Sequence, residues 1–505
     1  MARLLRINAA DNVAVALGPV AAGETVRAGG GGSGPAAVAV TARQNIPPGH
    51  KIALADIPAG AEVIKYGFPI GRTTRPVRAG EWVHTHNLAT GLGEILTYSY
   101  NPRPVPASPR PDTINRTFQG YRRPDGRVGT RNEIWIIPTV SCVNRTAQLL
   151  AEAASRRLAG SGSVDGVYAF PHPWGCSQMG EDQLNTQQIL AGLVNHPNAG
   201  AVLVLGLGCE NNNVAAFQKV LGSWDEDRVK FLVAQEVDDE LAAGEALIEQ
   251  LAAYASRFRR EECPAAALVA GLKCGGSDGF SGITANPLVG AFSDRLIACG
   301  GASVLTEVPE MFGAETILMD RAADAAVFDK IVRLINDFKA YYTAHGQVIY
   351  DNPSPGNKAG GISTLEEKSL GCTQKGGTGT VTDVVPYGGQ VRAKGLSLLS
   401  GPGNDLIAVT ALAAAGCQII LFTTGRGTPL GTAAPTIKIA TNSRLAAAKA
   451  AWIDFDAGRL LAGETLDSLA EELFSYVLEV ASGRRTKSEE MGFRDIGLFK
   501  NGVIL

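Results

Sequence analysis

Cysteines are few in this sequence, aromatic residues make up 6% of it, and no long apolar run is present. Eight cysteines among 505 residues are too sparse for a disulfide framework, so we expect free thiols and a cytoplasmic protein. The absence of any run of about 18 apolar residues argues against a membrane span. Asp11 and Asn12 interrupt the first apolar stretch, which argues against a signal peptide.

The charges also exclude some functions. Lys plus Arg number 46 and Asp plus Glu 49, so the net charge is −3 and nothing in this balance indicates nucleic-acid binding. The patterns GxGxxG with a downstream acid and GxxxxGK[ST] are absent, so no nucleotide-binding signature is found. The remaining composition, 45% hydrophobic and 19% charged, is typical of a globular protein.

The chain length predicts two or three domains. Residues 1–98 contain short β-branched runs separated by PPG, PAG and RAG turns, which predicts a small β-rich domain. Residues 99–117 include NPRPVPASPRPD, which predicts an extended proline-rich linker. We place a first α/β domain at 118–260 and a second at 261–505.

Both later domains show apolar runs that alternate with helix-like stretches. IWIIPTV, GVYAF and AVLVLGLG belong to the first, and AALVAGL, LSLLSGP and QIILFTTG to the second. Continuous apolar strands alternating with helices are typical of parallel sheets buried on both faces. The predicted fold is therefore α/β, with a β-rich N-terminal domain followed by two Rossmann-like parallel units.

Four predicted strands end at or near a cysteine: Cys142, Cys176, Cys209 and Cys274. Sites in α/β sheets form at the carboxyl ends of the strands, so these thiols are candidate metal ligands. Cysteine is also often a small buried apolar residue. If the four thiols converge, they could bind iron either as one ion or as a cluster, although no C-x-x-C spacing supports this.

A second candidate metal site is VHTHN, with His84 and His86. In a strand, residues i and i+2 point to the same face, so two adjacent imidazoles would form half of a metal site. The alternative is a pair of solvated histidines at a sheet edge. His50, in PPGHK, is another polar residue on a predicted turn.

Two stretches are suited to binding an anion, and a third adds a polar side chain. Lys358 precedes a predicted helix whose N-terminus carries a capping box, and bare amides at a helix start favour carboxylates. Arg426 lies between glycines after a predicted strand, where its planar fork could bind a carboxylate. Asn404 follows another strand. The alternative for Arg426 is a structured turn with a surface arginine.

The segment LKCGGSDGFSGITANP, residues 272–287, places four glycines beside Cys274 and Asp278. So many glycines predict that this backbone is closely approached by a ligand or by another loop.

Several longer stretches together resemble the altronate and galactarate dehydratase family. These are ADNVAVAL, GHKIALADI, GLGCENN, CGGSDGFSGITANP, EVPEMFGAE, PSPGNKAGG, LEEKSLGCTQKGG, GPGND and FTTGRGTP. The resemblance runs from the first residues to KNGVIL and is closer to the altronate branch. It implies a SAF-like β domain, followed by α/β units, in a cytoplasmic homodimer. The implied reaction is dehydration of D-altronate to 2-keto-3-deoxy-D-gluconate in hexuronate catabolism, with Fe2+ or alternatively Mn2+.

The resemblance also suggests roles for particular residues. His50, His172 and Lys368 are candidate proton shuttles, and Asp278 is a candidate for holding a substrate hydroxyl. Lys358, Asn404 and Arg426 would bind the sugar acid. Alternatives are dehydration of galactarate or another sugar acid, and a non-catalytic sugar-acid binding protein. The family usually has histidine where this chain has Asn8, which raises the question of a lost ligand or base.

Overall fold

The computed structural model describes residues 3–29, 37–93, 95–103, 115–160, 162 and 164–505. Most of the predicted proline-rich linker, residues 104–114, lies outside the described residues. Within the described ranges no helix combines the length and the apolar character needed to cross a membrane.

The N-terminal unit consists of short strands: β1 (Leu4–Leu5), β2 (Val13–Ala16), β3 (Thr25–Gly29), β4 (Val38–Thr41), β5 (Lys51–Ala53), β6 (Glu62–Lys65), β7 (Phe68–Thr73), β8 (Trp82–Val83) and β9 (Leu88–Ala89). They form a six-stranded sheet in the order β4-β3-β1-β2-β5-β8 and a three-stranded sheet in the order β6-β7-β9. Only β1 and β3 pair in parallel among these described strands. The β-rich N-terminal unit predicted from the sequence is confirmed.

The second unit contains β10 (Thr117–Arg122), β11 (Val128–Gly129), β12 (Glu133–Pro138), α1 (Asn144–Leu158), β13 (Gly166–Ala169), α2 (Gly180–Val194), β14 (Ala199–Gly206), α3 (Val214–Leu221), β15 (Val229–Val233), α4 (Glu240–Ala255) and β16 (Glu261–Pro264). Its parallel sheet has the order β13-β12-β14-β15. Every residue of β12 and β14 is buried, which explains the apolar sequence of β14 and of β12 after Glu133.

The third unit contains β17 (Val269–Cys274), α5 (Ala285–Ala298), β18 (Ala302–Leu305), α6 (Glu315–Met319), α7 (Ala325–Ala344), α8 (Pro355–Ala359), α9 (Leu365–Cys372), β19 (Val381–Val385), β20 (Gly395–Leu399), α10 (Asp405–Ala414), β21 (Ile419–Thr424), β22 (Thr436–Ala440), α11 (Ser443–Ala448), β23 (Phe455–Asp456), α12 (Leu466–Ala481) and α13 (Lys487–Glu490). The parallel sheet has the order β19-β20-β18-β17-β21-β22-β23. Together with the second unit, it confirms the predicted pair of parallel α/β units.

The two α/β units are joined at several places. Helices α2 and α10 pack against each other, and one hydrophobic core includes Trp135 of β12 and Phe422 of β21. Strand β16 pairs with β10 of the second unit, although the sequence places the boundary between the units directly before it. The last residues of the chain also return to the second unit, where Arg494 binds Glu133 at 2.9 Å.

Each parallel sheet has one point where the strand order reverses. In the second unit this point lies between β12 and β14, and in the third it lies between β17 and β21. Loops that follow such strands diverge and leave a crevice, which is where ligands bind in α/β folds. The crevice of the third unit is at the end of β17, where Lys273 and Cys274 are.

Candidate active site

A cavity of about 740 Å³ opens at the carboxyl end of β17. Its volume falls within the range usual for small-molecule sites. One wall is aromatic, with Phe338, Tyr341 and Tyr342 of α7 and Phe499 near the end of the chain. The opposite side is polar and includes Cys274, Glu310, Asn357, Lys368, Asn404 and Asp405. Such a cavity suits a small ligand that carries several hydrogen-bonding groups.

Two thiols and one carboxylate meet at the polar side of this cavity. The Sγ atoms of Cys274 and Cys372 are 3.3 Å apart, and each lies 3.1 Å from Oε2 of Glu310. Three elements bring them together: β17 ends in Cys274, a 3₁₀ turn over Val308–Met311 carries Glu310, and α9 ends in Cys372. All three residues are buried.

Three lysines surround this cluster. Nζ of Lys368 is 2.8 Å from Oε1 of Glu310, and Nζ of Lys375 is 2.9 Å from Sγ of Cys274. Lys273 binds Glu307 and, at 2.8 Å, Oδ1 of Asp405. Buried charges are costly unless they are paired. The lysines therefore offset the cost of burying the charges of Glu310 and Cys274, whereas burial and the charges of Cys274 and Glu310 raise the pKa of Glu307 well above its ordinary value.

The pairing fixes the protonation of the two thiols. A hydrogen bond from the Cys372 thiol, together with the ammonium groups of Lys375 and Lys273, lowers the pKa of Cys274 to about 6 against the effect of burial. The pKa of Cys372 is raised well above its ordinary value, because it donates to Cys274 and is buried. At neutral pH Cys274 is a thiolate and Cys372 is a thiol.

The carboxylate and the lysine beside it are also held charged. Burial disfavours the charge of Glu310, but the ammonium groups of Lys368, Lys273 and Lys375 hold its pKa well below the usual range. Burial likewise opposes the charge of Lys368, but Glu310 raises the pKa of that lysine above its ordinary value. Lys368 therefore carries a proton when the cavity receives a ligand.

Glu307 adopts a strained backbone conformation next to this cluster. Its φ of 70° and ψ of 62° are left-handed, which is uncommon for residues other than glycine. Its carboxylate binds Lys273 and accepts a hydrogen bond from the backbone N–H of Cys274 at 3.0 Å. Strain of this kind persists where surrounding contacts impose it, and it is concentrated at functional sites.

The cluster can hold a metal ion. Among the described residues, Cys274, Glu310 and Cys372 form a group whose ligand atoms all lie within 4.8 Å of one another. Two sulphur atoms and one carboxylate oxygen suit a divalent transition metal of borderline softness. A bound cation would replace Lys375 as the partner of the Cys274 thiolate.

Three of the sequence-predicted site residues line this cavity: Cys274, Lys368 and Asn404. Nζ of Lys368 also donates to Oδ1 of Asn352 at 3.0 Å and to Oδ1 of Asn357 at 3.1 Å. The side-chain oxygen of Asn404 caps α10 by accepting from the N–H of Ile407.

Asp278, Lys358 and Arg426 lie outside the wall of the cavity. Asp278 is buried and accepts hydrogen bonds from Thr441 and Ser281 at 3.0 and 3.2 Å. Burial raises the pKa of Asp278, while these bonds oppose the shift. Lys358 lies within α8 and Arg426 is exposed. Their predicted contacts with the sugar acid stay predictions.

The glycines of the 272–287 segment admit other parts of the protein. A side chain on Gly275 would collide with the carboxylate of Asp405, and one on Gly279 would collide with the backbone of Gly49. A side chain on Gly282 would meet the hydroxyl of Tyr66. Two of these close approaches come from the N-terminal unit, so this segment is chiefly a docking surface for that unit, which accounts for much of its glycine content.

The two histidines predicted to bind a metal lie in the N-terminal unit. The prediction that both lie in a strand and point to the same face is wrong. Strand β8 ends at Val83, and His84 begins a turn in which its N–H donates to Oδ1 of Asn87. His84 is consequently buried while His86 is exposed. Nδ1 of His84 lies 2.8 Å from Oγ of Ser363, and burial and the charge of Lys51 lower its pKa to about 4.

The other two candidate proton shuttles also lie away from the cavity wall. Nδ1 of His50 accepts from the indole N–H of Trp82 at 3.1 Å. Nε2 of His172 donates to the carbonyl of Pro138 at 2.8 Å, and its Nδ1 accepts from the N–H of Trp174 at 3.3 Å. With both nitrogens used by the backbone, His172 is bonded as a structural residue; burial lowers its pKa to about 4.

The remaining predicted ligands lie on the second unit. Cys142, Cys176 and Cys209 follow β12, β13 and β14, and all three are exposed. Cys274 ends β17 in the other sheet. The structure therefore divides the four predicted cysteines between two sheets, three on one and one on the other.

A buried charge cluster fastens the N-terminal unit to α9. The carboxylate of Glu367 forms ion pairs with Nζ of Lys51 and with Nζ of Lys65, each at 2.8 Å. Burial opposes the charge of Glu367, but the two ammonium groups lower its pKa to about 2. Lys51 also donates to Oγ of Ser363 at 2.8 Å. Because α9 carries Lys368 of the cavity wall and Cys372 of the metal-binding group, this contact positions the candidate site.

Sequence reasoning missed five residues of the cluster: Lys273, Glu307, Glu310, Cys372 and Lys375. A signal was present, since all five lie within the stretches that carry the family resemblance or adjoin them directly. Cys372 ends a helix and not a strand, so a search limited to strand ends passes over it.

Three family models match the chain in succession. They are the altronate/galactarate dehydratase SAF domain over residues 2–91, the second domain of D-galactarate dehydratase/altronate hydrolase over 120–256, and the C-terminal part of D-galactarate/altronate dehydratase over 265–504. An altronate dehydratase of Bacillus subtilis is 53% identical over all of both chains. One of Escherichia coli is 52% identical over 99% of each chain.

A galactarate dehydratase (L-threo-forming) of Escherichia coli is more distant, at 33% identity over 90% of this chain and 89% of its own. The order of the three family models and the full-length similarity confirm the resemblance drawn from the sequence motifs. This chain belongs to the altronate/galactarate dehydratase family.

Proposed function

We propose that this protein is a hydro-lyase that dehydrates D-altronate to 2-keto-3-deoxy-D-gluconate and water, in hexuronate catabolism. Two relatives that match over essentially the full chain are altronate dehydratases. The observation that carries the proposal is the cluster of Cys274, Glu310 and Cys372 beside Lys368 on a polar cavity. It combines a metal-binding donor set, a cation and hydrogen-bonding groups in one place.

The metal in this proposal is Fe2+, held by Cys274, Glu310 and Cys372. Thiolates favour iron, whereas Mn2+ prefers oxygen ligands, so the donor set favours iron over manganese. When bound, the ion would supply Lewis-acid stabilisation of the negative charge that develops on the substrate.

The cavity residues supply binding and proton transfer. The carbon 2 proton of a 2,3-dihydroxy acid is weakly acidic, so its removal requires a positioned base and nearby positive charge. We assign the base to Asp405, whose side chain is 37% exposed and is fixed by Lys273. Asn404 at the cavity wall is suited to a substrate hydroxyl.

Lys368 is suited to the second half of the reaction. Lys368 lines the cavity and its ammonium group carries a proton, so it is suited to protonating the carbon 3 hydroxyl as this group leaves as water. Loss of the carbon 2 proton to Asp405 and of the hydroxyl from carbon 3 gives an enol, which becomes the 2-keto-3-deoxy acid. After these two proton transfers Lys368 is neutral and Asp405 is protonated. Proton exchange with solvent returns both side chains to their starting protonation states.

The test is dehydration of D-altronate by anaerobically purified protein, with and without added ferrous ion. The expected result is formation of the 2-keto-3-deoxy acid that depends on iron. Product from galactarate or another sugar acid, with none from altronate, would overturn the substrate assignment. Binding of D-altronate without turnover in iron-loaded protein would instead support a non-catalytic sugar-acid binding protein.

The family resemblance also supports a homodimer, which light scattering of the purified protein tests. A cytoplasmic location is supported by eight cysteines without a disulfide bond. Fractionation of the cell that makes the protein tests the location.

A further inference from the structure

We propose that the carboxyl edge of the four-stranded sheet binds an iron–sulfur cluster, with Cys142, Cys176 and Cys209 as its thiolate ligands. This site is separate from the cluster of Cys274, Glu310 and Cys372. It involves the three exposed cysteines that the proposed dehydration does not use.

The sheet register brings the three cysteines to one place. Pro138 and Leu205 are paired across β12 and β14, and Cys142 and Cys209 each follow their paired residue by four positions. Cys176 follows β13, which pairs with β12 on its other side. Cys142 and Cys209 thus flank the strand-order reversal, where loops diverge and ligands bind.

Hydrogen bonds tie the three cysteine loops together. The N–H of Ser141 donates to the carbonyl of Trp174 at 2.9 Å, and the N–H of Asn212 donates to the carbonyl of Gly175 at 3.0 Å. The side chain of Asn212 also donates to the carbonyl of Thr139 at 3.0 Å. Each cysteine is therefore within three residues of a bond that joins its loop to a neighbour, which fixes the thiols relative to one another.

The Cys209 loop is anchored by the carboxylate of Glu210. Its Oε1 accepts from Oγ1 of Thr139 at 2.7 Å and from the N–H of Leu207 at 3.0 Å, and its Oε2 accepts from the N–H of Gly208 at 2.6 Å. These bonds lower the pKa of Glu210 against the effect of its burial. Both oxygens of the Glu210 carboxylate are therefore used in hydrogen bonds that stabilise the loop carrying Cys209.

The Cys176 loop carries backbone strain on both sides of the thiol. Gly175 has a φ of 106° and approaches the carbonyl of Thr139 so closely that a side chain would collide with it. Ser177 has a φ of 59°, which is uncommon for a residue with a side chain. Its N–H is fixed by Oδ1 of Asn211 at 3.0 Å. Such strain persists where a particular geometry is needed.

The exposure of these thiols sets them apart from the other cysteines. The remaining five, including Cys263, Cys299 and Cys417, are buried. Buried cysteine commonly serves as a small apolar residue, whereas exposed thiols oxidise readily. Three exposed thiols at the ends of adjacent strands are explained by a shared ligand that protects them.

Among the described residues, Cys142, Cys176 and Cys209 do not form a group whose ligand atoms all lie within 4.8 Å of one another, which favours a cluster over a single ion. Ligands of one ion converge closely, and the described group that meets this condition consists of Cys274, Glu310 and Cys372. The thiolates of a cluster each bind a different iron and stand farther apart. With three thiolates, a [4Fe–4S] cluster keeps one iron without a protein thiolate and open to an exchangeable ligand.

The cluster can be assembled without an added oxidant. Anaerobic protein is supplied with ferrous and ferric iron in equal amounts and with sulfide, and each thiol releases its proton on binding iron. The expected product holds about four sulfide and about five iron per chain, four iron in the cluster and one at Cys274, Glu310 and Cys372, and it absorbs broadly in the visible range. Iron without sulfide in the loaded protein would overturn the proposal.

Serine substitutions assign the ligands. Cys142→Ser, Cys176→Ser and Cys209→Ser are each expected to lose at least half of the bound sulfide and the visible absorption. Cys299→Ser, in a buried position on α5, is the matched control and should retain both. Full sulfide content in all three exposed-site variants would overturn the assignment.

A second measurement requires no variant. Cluster-loaded wild-type protein is treated with iodoacetamide, and its cysteine peptides are compared by mass spectrometry with those of protein stripped of iron. Cys142, Cys176 and Cys209 are expected to be protected when loaded and alkylated when stripped. Alkylation of the three in both states would contradict the proposal.

These readouts do not depend on turnover. A protein that dehydrates altronate with iron but binds no sulfide would overturn the cluster and leave the proposed function intact. A protein that holds the cluster but acts on no sugar acid would do the reverse.

Discussion

The sulphur atoms of Cys274 and Cys372 lie 3.3 Å apart, and the thiol of Cys372 donates to the thiolate of Cys274. Two identical side chains thereby take opposite protonation states in one buried place. The difference arises from their neighbours, since Nζ of Lys375 lies 2.9 Å from the sulphur of Cys274, which makes Cys274 the thiol that this lysine contacts directly. This asymmetry gives the site a group that is ionised at neutral pH and yet shielded from solvent.

The ionisation of Cys274 can be measured directly. Its pKa of about 6 lies below the ordinary 9.0, so the metal-free folded protein should show one thiolate that forms with a midpoint near pH 6. The ultraviolet thiolate absorbance of wild-type protein minus that of Cys274→Ser gives this titration. A midpoint at the value of an ordinary cysteine would contradict the structure.

The same shift contributes to stability with a defined sign. Because the folded-state pKa of Cys274 is depressed, its contribution is fully present above the unfolded value of 9.0 and is lost as the pH falls through about 6. The stability difference between wild type and Cys274→Ser in urea should therefore shrink from pH 9 towards pH 6. A difference independent of pH would argue against it.

Lys375 should control that midpoint. Replacing it in Lys375→Gln removes the ammonium 2.9 Å from the Cys274 sulphur, which is expected to raise the thiolate midpoint by about one pH unit or more. Lys339→Gln is the control, because Lys339 is equally buried and paired with Glu315 at 2.9 Å away from the thiols. Equal shifts in the two variants would point to a general loss of structure.

Glu310 should be essential for turnover. Glu310→Gln keeps the shape of the side chain but removes the charge that Lys368 and the metal site require, so we expect kcat to fall about 100- to 1,000-fold. Iron content, measured on the same sample, should fall as well. Glu315→Gln, in an ion pair outside the cavity wall, should reduce stability and keep most of the activity. Near-normal activity of Glu310→Gln would remove this residue from the site.

Glu367 should hold the N-terminal unit in place. Glu367→Gln leaves Lys51 and Lys65 buried without their shared partner, which is expected to cost about 3–5 kcal/mol of stability. Glu366→Gln is the control, because Glu366 accepts from Thr90 and Gly91 and neutralises no lysine. Urea unfolding measures the free energy of unfolding of both variants. Similar decreases in the two variants would show that the pairing of Glu367 with the lysines adds no stability beyond an ordinary hydrogen bond.

Asn8 should have little effect on catalysis. Its side chain is exposed and accepts from the N–H of Ala10 in a turn, and it does not line the cavity. Asn8→His is therefore expected to change kcat and KM by less than about two-fold. A ten-fold or larger gain in activity would show that histidine at this position takes part in the reaction.

The strand ends were the part of the site that the sequence could predict. Apolar runs predict β12, β14, β17 and β21, and the residues after such strands must lie at one edge of a sheet. Cys274, Asn404 and Lys368 were found in this way or from the family resemblance, and all three line the cavity. The hydrophobic pattern of a strand depends on neighbouring residues in the sequence. The positions of residues at strand ends can therefore be predicted without knowing how distant parts of the chain pack.

The partners of Cys274 could not be predicted in the same way. Glu310 and Cys372 are 36 and 98 residues away along the chain; Glu310 lies in a 3₁₀ turn after β18, and Cys372 ends a helix. Their meeting depends on how α9 packs against the turn that carries Glu310. The strand predicted for His84 and His86 is wrong for the opposite reason. A local turn closed by Asn87 replaces the strand that the sequence pattern indicates.

The packing of α2 against α10 has a mechanical consequence. Gly192 of α2 lies so close to the backbone of Ala414 that a side chain would collide with it, and the core there is continuous between the sheets. Two units joined through a common interior have no hinge between them, and they should melt in a single cooperative transition. Admission of a substrate then relies on smaller elements at the cavity rim, such as the segment from Ile349 to Asn357.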